Sequence, residues 1–162
     1  MKIGVISDSH DRLPALRQAL AVFEQAGVEA ILHAGDMVAP FAAKVLAEGA
    51  NPGRPVHCIY GNNDGERKGL KKVLPQIQDG PLRLALAGRT IVMHHAEEDL
   101  GPGDLAGADV VVTGHTHQVL NEVRDGVLHL NPGECCGWTT ERCTIAVLDT
   151  DAVSAEIVEI CP

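Results

Sequence analysis

Polar residues with metal-binding side chains follow several short apolar runs of this sequence. Carboxylates, imidazoles and one amide stand just after the ends of these runs. The candidates are Asp8, His10, Asp36, Asn62, His94, His115 and His117. In open α/β sheets, ligands bind outside the carboxyl ends of the parallel strands, so these separate segments are predicted to converge on one crevice.

These donor types indicate a class of ion. Carboxylate, imidazole and amide oxygen suit Mn, Fe, Ni, Co or Zn, and a donor set without thiolate disfavours a closed structural zinc site. The seven candidates are too many for one tetrahedral ion. Two ions that share a bridging carboxylate would use all of them and leave room for a bridging water, an arrangement that serves in-line displacement at phosphorus.

The N-terminal half predicts alternating strands and helices. An apolar run at residues 3–6 precedes apolar residues at helical spacing from Leu13 to Phe23, and Gly27 marks the helix end. Strands at residues 30–32 and 56–60 flank a helix that begins at Pro40. This βαβαβ order implies a parallel sheet covered by helices.

The C-terminal half is richer in hairpins. Paired apolar runs flank Gly88-Arg89, Arg124-Asp125-Gly126 and residues 149–151, and residues 110–112 form a further buried run. No repeat, low-complexity tract or linker interrupts the sequence. We therefore predict one mixed α/β domain with two sheets over residues 1–162.

The composition limits the partners that the protein is expected to bind and the compartment in which it is expected to lie. The 162 residues include 13 Lys plus Arg and 22 Asp plus Glu, so the net charge is −9, which disfavours long nucleic acids as partners. No apolar run approaches the roughly 20 residues of a transmembrane helix, so no membrane partner is expected. Five cysteines without a C-x-x-C pair indicate neither a disulfide framework nor a zinc knuckle, and the expected location is the reducing cytoplasm.

The same residues carry a family resemblance. Asp8-Ser9-His10, Gly35-Asp36, Gly61-Asn62-Asn63-Asp64, His94 and Gly114-His115-Thr116-His117 resemble the ordered signature of the calcineurin-like metallophosphoesterases. With Asn131-Pro132-Gly133, their order and spacing are most similar to the small YfcE-type phosphodiesterase branch. The resemblance implies a two-sheet β-sandwich flanked by helices, which agrees with the strands predicted above.

The resemblance also implies roles for the candidate ligands. The first ion would be held by Asp8, His10 and His117 with Asp36 bridging, and the second by Asn62, His94 and His115. Manganese is the expected ion, with Ni, Fe, Co or Zn as alternatives. A hydroxide that bridges the ions would attack the phosphorus of a small phosphate ester, most often a diester. Small members of the family often form dimers or larger assemblies, so a homo-oligomer is implied as well.

Two departures from the family pattern concern the leaving group. Asn63 stands where many relatives have a His, and an amide can donate a hydrogen bond to the substrate but cannot act as a general acid. At His94-His95-Ala96, where relatives often have His-Gly-His, His95 is the candidate substitute acid. General acid catalysis contributes roughly 10²–10⁴-fold, so we expect a preference for esters with good leaving groups.

A basic cluster follows the Asn62 turn. Arg67, Lys68, Lys71 and Lys72 fall within six positions. On a solvated helix, like charges at i,i+4 spacing cost about 0.2–0.5 kcal/mol per pair. A plain surface patch and a contact with phosphate or a partner both stay open, and Arg67 is a substrate-binding candidate together with Asn63.

Other functions predict different features. A phosphomonoesterase or nucleotidase is the nearest variant and would differ in its rates on paired mono- and diesters. A non-catalytic, retromer-type interaction scaffold with the same fold predicts eroded ligands, whereas all seven candidates are present. A haloacid-dehalogenase-type phosphatase with Asp8 as nucleophile would need a second Asp in place of His10.

Overall fold

The computed structural model describes residues 1–160 of the chain, and its elements follow the predicted order. The N-terminal half contains β1 (Lys2–Ile6), α1 (Leu13–Ala26), β2 (Ala30–His33), α2 (Pro40–Glu48), β3 (Val56–Cys58) and α3 (Arg67–Val73). The C-terminal half contains β4 (Leu82–Leu86), β5 (Arg89–Met93), a 3-10 turn (Glu97–Asp99), α4 (Pro102–Leu105), β6 (Val110–Val112), β7 (Val119–Arg124), β8 (Val127–Pro132), β9 (Cys143–Asp149) and β10 (Ser154–Ile160).

The strands form two mixed sheets, which confirms the predicted fold class. The first sheet has the order β10-β9-β1-β2-β3, and the second has the order β4-β5-β6-β8-β7. Within the first sheet β1, β2 and β3 are parallel, and within the second β5, β6 and β8 are parallel. The three predicted hairpins are the antiparallel pairs β4–β5, β7–β8 and β9–β10.

The core lies in layers on both faces of the first sheet. Ile3 and Val5 of β1 pack with Ile91 and other apolar residues of the second sheet, whereas Ile6 packs with Phe23 on the helical side. Successive side chains of a strand point to opposite faces, so both faces of β1 must be apolar. This is why the N-terminal strands are continuous apolar runs, as expected for parallel strands that are covered on both sides.

Local backbone geometry explains the turns and one shifted boundary. Ala87-Gly88 and Asp125-Gly126 have positive φ at both positions, as a two-residue hairpin turn requires. The third strand ends at Cys58 rather than at residue 60, because the Tyr60 amide donates to Gln78 O instead of continuing the ladder with β2. Within residues 1–160, no helix combines the length and apolar character needed to cross a membrane.

Candidate metal centre

The candidate ligands lie in loops at the carboxyl ends of the parallel strands. The loops after β1, β2 and β3 carry Asp8 and His10, Asp36, and Asn62, and the loop after β6 carries His115 and His117. Positive φ angles occur at Asp8, His10, Asp36, His115 and His117. Such backbone costs an L-residue of the order of 1–3 kcal/mol and clusters at functional sites, so this strain accompanies the close approach of the loops.

One group of side chains, the His10 cluster, consists of Asp8, His10, Asp36 and His117. The His10 Nε2 atom lies 3.8 Å from Asp8 Oδ1 and 3.6 Å from Asp36 Oδ2, and His117 Nε2 lies 3.4 Å from Asp8 Oδ1. Asp8 Oδ1 and His10 Nε2 are buried without a hydrogen-bond partner among residues 1–160. A buried polar atom without a partner costs about 1–3 kcal/mol, so a cation among these atoms would satisfy them.

A second group, the His95 cluster, consists of Asp36, Asn62, His95 and His115. Asn62 Oδ1 lies 2.9 Å from both His95 Nε2 and His115 Nδ1, and Asp36 Oδ2 lies 3.3 Å from His95 Nε2. Burial lowers the pKa of His95, but the Asp36 carboxylate outweighs this and the net shift is upward. Positive charge is therefore favoured at His95 Nε2, and Asp36 is shared by both clusters.

The structure brings His95, and not the predicted His94, to Asp36 and Asn62. Ile91 and Met93 of β5 face the first sheet, and the alternation of the strand continues to His95, whose Nδ1 lies 2.8 Å from Ala34 O. A carbonyl oxygen only accepts, so Nδ1 carries a proton and Nε2 is the ring nitrogen that faces Asn62 and Asp36. His94 packs beside Gly80 and its Nδ1 lies 2.8 Å from Ala96 O. The side chain beside the shared carboxylate is thus that of the residue after the predicted one, and His94 lines the same crevice.

Asn63 holds Asp36 instead of pointing freely into the crevice. Its backbone amide donates to Asp36 Oδ1 at 2.8 Å, and its side-chain Nδ2 donates to Asp36 Oδ2 at 2.7 Å. Burial raises the pKa of Asp36, but hydrogen bonds from His95 and Asn63 more than offset it, so the pKa lies well below its usual range. The predicted hydrogen bond from Asn63 to substrate is therefore replaced by one that orients the shared carboxylate.

Two glycines allow the loops to approach the carboxylates. A Cβ on Gly61 would lie 2.2 Å from Asp36 Oδ1, and one on Gly114 would lie 1.8 Å from Ser7 Oγ and 2.7 Å from Asp8 Oδ2. The buried Asp64 carboxylate then accepts hydrogen bonds from the Gly61 and Asp36 amides. The Gly61-Asn62 and Gly114-His115 steps of the sequence therefore reflect close backbone contact at the site.

Glu134, which the sequence reasoning missed, orients His117. This carboxylate is fully buried and accepts a hydrogen bond from His117 Nδ1 at 2.7 Å, which leaves Nε2 facing Asp8. Burial raises the pKa of Glu134, but hydrogen bonds from Thr140, Cys136 and His117 bring it down to about 2. The sequence feature that could have pointed to Glu134 is its position shortly after β8, the third parallel strand of the second sheet.

A thiol also lies beside the His10 cluster. Cys136 Sγ and ring nitrogens of His10 and His117 all lie within 4.8 Å of one another. The Cys136 thiol donates to Glu134 Oε2 at 3.1 Å, and burial raises its pKa to about 12. Because the thiolate and not the thiol is the metal ligand, Cys136 is left out of the candidate ligand set. Cys161 lies outside the described residues.

A crevice of about 310 Å³ opens over the His95 cluster. Its walls include Asn62, His95 and His115, and Arg67 lies at one side. The Arg67 guanidinium lies 4.4 Å from the centre of the Tyr60 ring and pairs with Asp79 at 2.7 Å. The predicted substrate-binding residue therefore borders the crevice, and both clusters together offer donors suited to two divalent ions.

Comparison with known proteins confirms the resemblance carried by these residues. Residues 1–153 match the calcineurin-like phosphoesterase superfamily domain. Over 159 residues the chain is 40% identical to phosphodiesterase MJ0936 of Methanocaldococcus jannaschii, with 93% of this chain and 94% of the relative covered. It is 30% identical to phosphodiesterase YfcE of Escherichia coli K12, with 82% and 78% covered. A solved archaeal phosphodiesterase superimposes with a TM-score of 0.87 at 36% identity, over 99% of this chain and 100% of that one. The chain belongs to the calcineurin-like phosphoesterase superfamily, a family of hydrolases.

Proposed function

We propose that this protein hydrolyses phosphodiesters with the help of two divalent metal ions. The ligands would be Asp8, His10, Asp36, Asn62, His95, His115 and His117. The observation that carries the proposal is the pair of buried, unsatisfied atoms, Asp8 Oδ1 and His10 Nε2, which face the carboxylate that both clusters share. The phosphodiesterase names of two relatives support the choice of a diester.

The chemistry fits this donor set. When bound, two such ions would lower the pKa of a coordinated water towards neutrality and would neutralise charge on the phosphoryl oxygens. The chain itself supplies orientation, because Asn63 fixes Asp36 and Glu134 fixes His117. An ordered ligand set avoids reorganisation during the reaction.

Protonation of the leaving group remains the weak step of this site. The Asn63 amide is committed to Asp36, and His95 belongs to the ligand set rather than to the acid role predicted for it. We therefore expect esters of acidic alcohols, such as p-nitrophenol, to react faster than alkyl esters, since general acid catalysis is worth about 10²–10⁴-fold.

A reconstitution screen tests the proposal. The protein, stripped with chelator, is reloaded with Mn, Ni, Fe, Co or Zn, and metal content and rates on bis(p-nitrophenyl) phosphate and p-nitrophenyl phosphate are measured. We expect two ions per chain, Mn among the activating metals, and a higher kcat/KM for the diester. A higher value for the monoester would favour the phosphomonoesterase alternative, and metal-saturated protein inactive on both esters would refute the proposal.

The division of the ligands between the sheets bears on domain organisation. Asp8 and Asp36 follow strands of the first sheet, whereas His95, His115 and His117 follow strands of the second. Neither sheet alone contains either complete cluster. We therefore infer that residues 1–162 act as one domain.

A further inference from the structure

A basic groove adjoins the crevice on the side of α3. This groove has a volume of about 650 Å³ and is lined by Tyr60, Arg67, Lys68, Lys71, Lys72, Ile77, Gln78 and Asp79. It shares Tyr60, Arg67 and Asp79 with the crevice over the His95 cluster. The crevice and the basic groove therefore adjoin at these three residues, so a molecule long enough to pass them can contact both.

The two unpaired lysines of this groove lie on one face of α3. Lys68 and Lys72 are exposed, are separated by one helical turn, and have no ion pair or hydrogen bond within residues 1–160. By contrast, Arg67 pairs with Asp79, and Lys71 donates to Ile77 O. Like charges one turn apart repel each other. An anion between the two lysines would remove that repulsion.

Acidic side chains line the crevice where the 3-10 turn borders it. Glu98 and Asp99 line it there, and Glu98 Oε1 lies 3.8 Å from His115 Nε2. An anionic group on the substrate would be repelled from this side and attracted to α3. The charges around the crevice therefore favour the orientation in which an anionic arm of a bound diester lies toward α3.

We propose that the basic groove binds a second phosphate, carried by one esterified arm of the diester, through Lys68 and Lys72. This inference rests on the proposed function and narrows its substrate class to diesters with a distal phosphate. The phosphate under attack lies over the two clusters, and the arm with the second phosphate lies along α3. Surface position keeps each contact modest, so the groove selects among diesters rather than holding them tightly.

Two matched esters test this inference. Thymidine 5′-(p-nitrophenyl phosphate) and its 3′-phosphorylated form share the reacting diester and the leaving group and differ only in the distal phosphate. For the wild-type protein we expect kcat/KM to be about threefold to tenfold higher for the 3′-phosphorylated ester, the scale of two exposed ion pairs. The preference should shrink as salt is raised, because exposed charges are screened.

Variants assign the preference to the groove. In Lys68→Gln/Lys72→Gln the ratio of the two kcat/KM values should fall to about one, whereas Lys2→Gln/Arg17→Gln, which removes the same charge from β1 and α1, should keep the wild-type ratio. Equal kcat/KM values in the wild type, or a ratio that survives in Lys68→Gln/Lys72→Gln, would overturn the inference.

The proposed function can fail separately. If metal-loaded protein hydrolyses neither ester, that function is refuted, and the same two esters are compared by titration calorimetry. Tighter binding of the 3′-phosphorylated ester that is lost in Lys68→Gln/Lys72→Gln would still support the basic groove. Equal affinities, or a difference that this variant retains, would refute the groove as well.

Discussion

At the scale of single residues, two adjacent histidines at the end of β5 face opposite ways. His95 points at Asp36 and Asn62, whereas His94 lies beside Gly80. From the sequence alone, the choice between His94 and His95 depends on where β5 ends. An error of one position there moves each following side chain to the opposite face of the sheet. The two histidines have the same side-chain chemistry, so only their positions in the fold distinguish them.

The pair offers a matched mutational test. We expect His95→Ala to lower diester turnover by more than about 100-fold and to reduce metal content, because it removes a proposed ligand, whereas loss of an outer partner costs 10–100-fold. His94→Ala should change turnover by less than about threefold. Measurements of kcat and bound metal in both variants decide the matter, and the reverse ranking would restore His94 as the ligand.

Glu134 is the second residue whose role depends on structure. Its partner His117 lies 17 positions earlier in the chain, and no spacing rule links the two. A buried carboxylate that orients a metal-binding imidazole typically contributes 10–100-fold to metal affinity. Its presence at the end of a parallel strand was the one usable clue.

Substitution of Glu134 should therefore weaken metal binding. We expect Glu134→Gln to raise the metal dissociation constant by about 10–100-fold, measured by calorimetric titration of the metal-free protein. The exposed Glu141→Gln is the control and should bind metal as the wild type does. Unchanged affinity in Glu134→Gln, with an unchanged melting temperature, would show that the charge of the Glu134 carboxylate does not contribute to metal binding through His117.

At the scale of the elements, the order of the strands along the chain was the most useful feature for predicting the fold and the position of the candidate site. Three parallel strands in each sheet end near the two clusters. Because ligands bind at the carboxyl ends of such strands, apolar runs followed by Asp, Asn or His predict the position of the candidate site. The short helix α3 and the end of β3 were less predictable. Their boundaries depend on contacts with Gln78 and Ile77, which lie further along the chain.

The edge strand β3 contains a titratable group with a definable effect on stability. Burial lowers the pKa of His57 from 6.5, and its Nε2 has no hydrogen-bond partner among the described residues. A His with a depressed folded-state pKa favours folding above the unfolded-state pKa, and this contribution is lost as the pH falls through the folded-state value.

His57→Gln should accordingly make stability less sensitive to acid. Between pH 8 and pH 5 we expect the wild type to lose more unfolding free energy than the variant, with a difference in slope of at most about 1.4 kcal/mol per pH unit. Urea unfolding of the metal-free proteins at several pH values measures this difference. Parallel curves for the two proteins would mean that His57 has the same pKa folded and unfolded.

At the scale of the whole molecule, the two clusters bring together buried charged and unpaired polar groups. Burial of these groups costs free energy, which bound ions would lower. Asp8 and Asp36 are 0% and 1% exposed, so two carboxylates of the site are held away from water. An ion at 100 times its dissociation constant stabilises the native state by about 2.7 kcal/mol per site. Metal binding and folding are therefore linked over the whole chain.

Removal of metal should be visible as a loss of thermal stability. We expect chelator to lower the melting temperature of the metal-loaded protein by about 10–20 °C, since each of the two sites contributes about 2.7 kcal/mol and 1 kcal/mol corresponds to roughly 2–4 °C at this size. Differential scanning calorimetry with and without chelator tests this, with Asp36→Asn as the variant whose melting temperature should respond least. A chelator-independent melting temperature would argue against metal bound at the shared carboxylate.

The hydrogen bond from the His115 amide to Asp8 Oδ2, 3.1 Å long, joins residues 107 positions apart. Closing a loop of this length costs chain entropy before its contacts are gained, so we expect the proposed metal centre to form late in folding. Interactions that are absent from the transition state leave the refolding rate almost unchanged and slow unfolding instead. We therefore expect metal bound at the two clusters to lengthen the lifetime of the folded chain more than it speeds refolding.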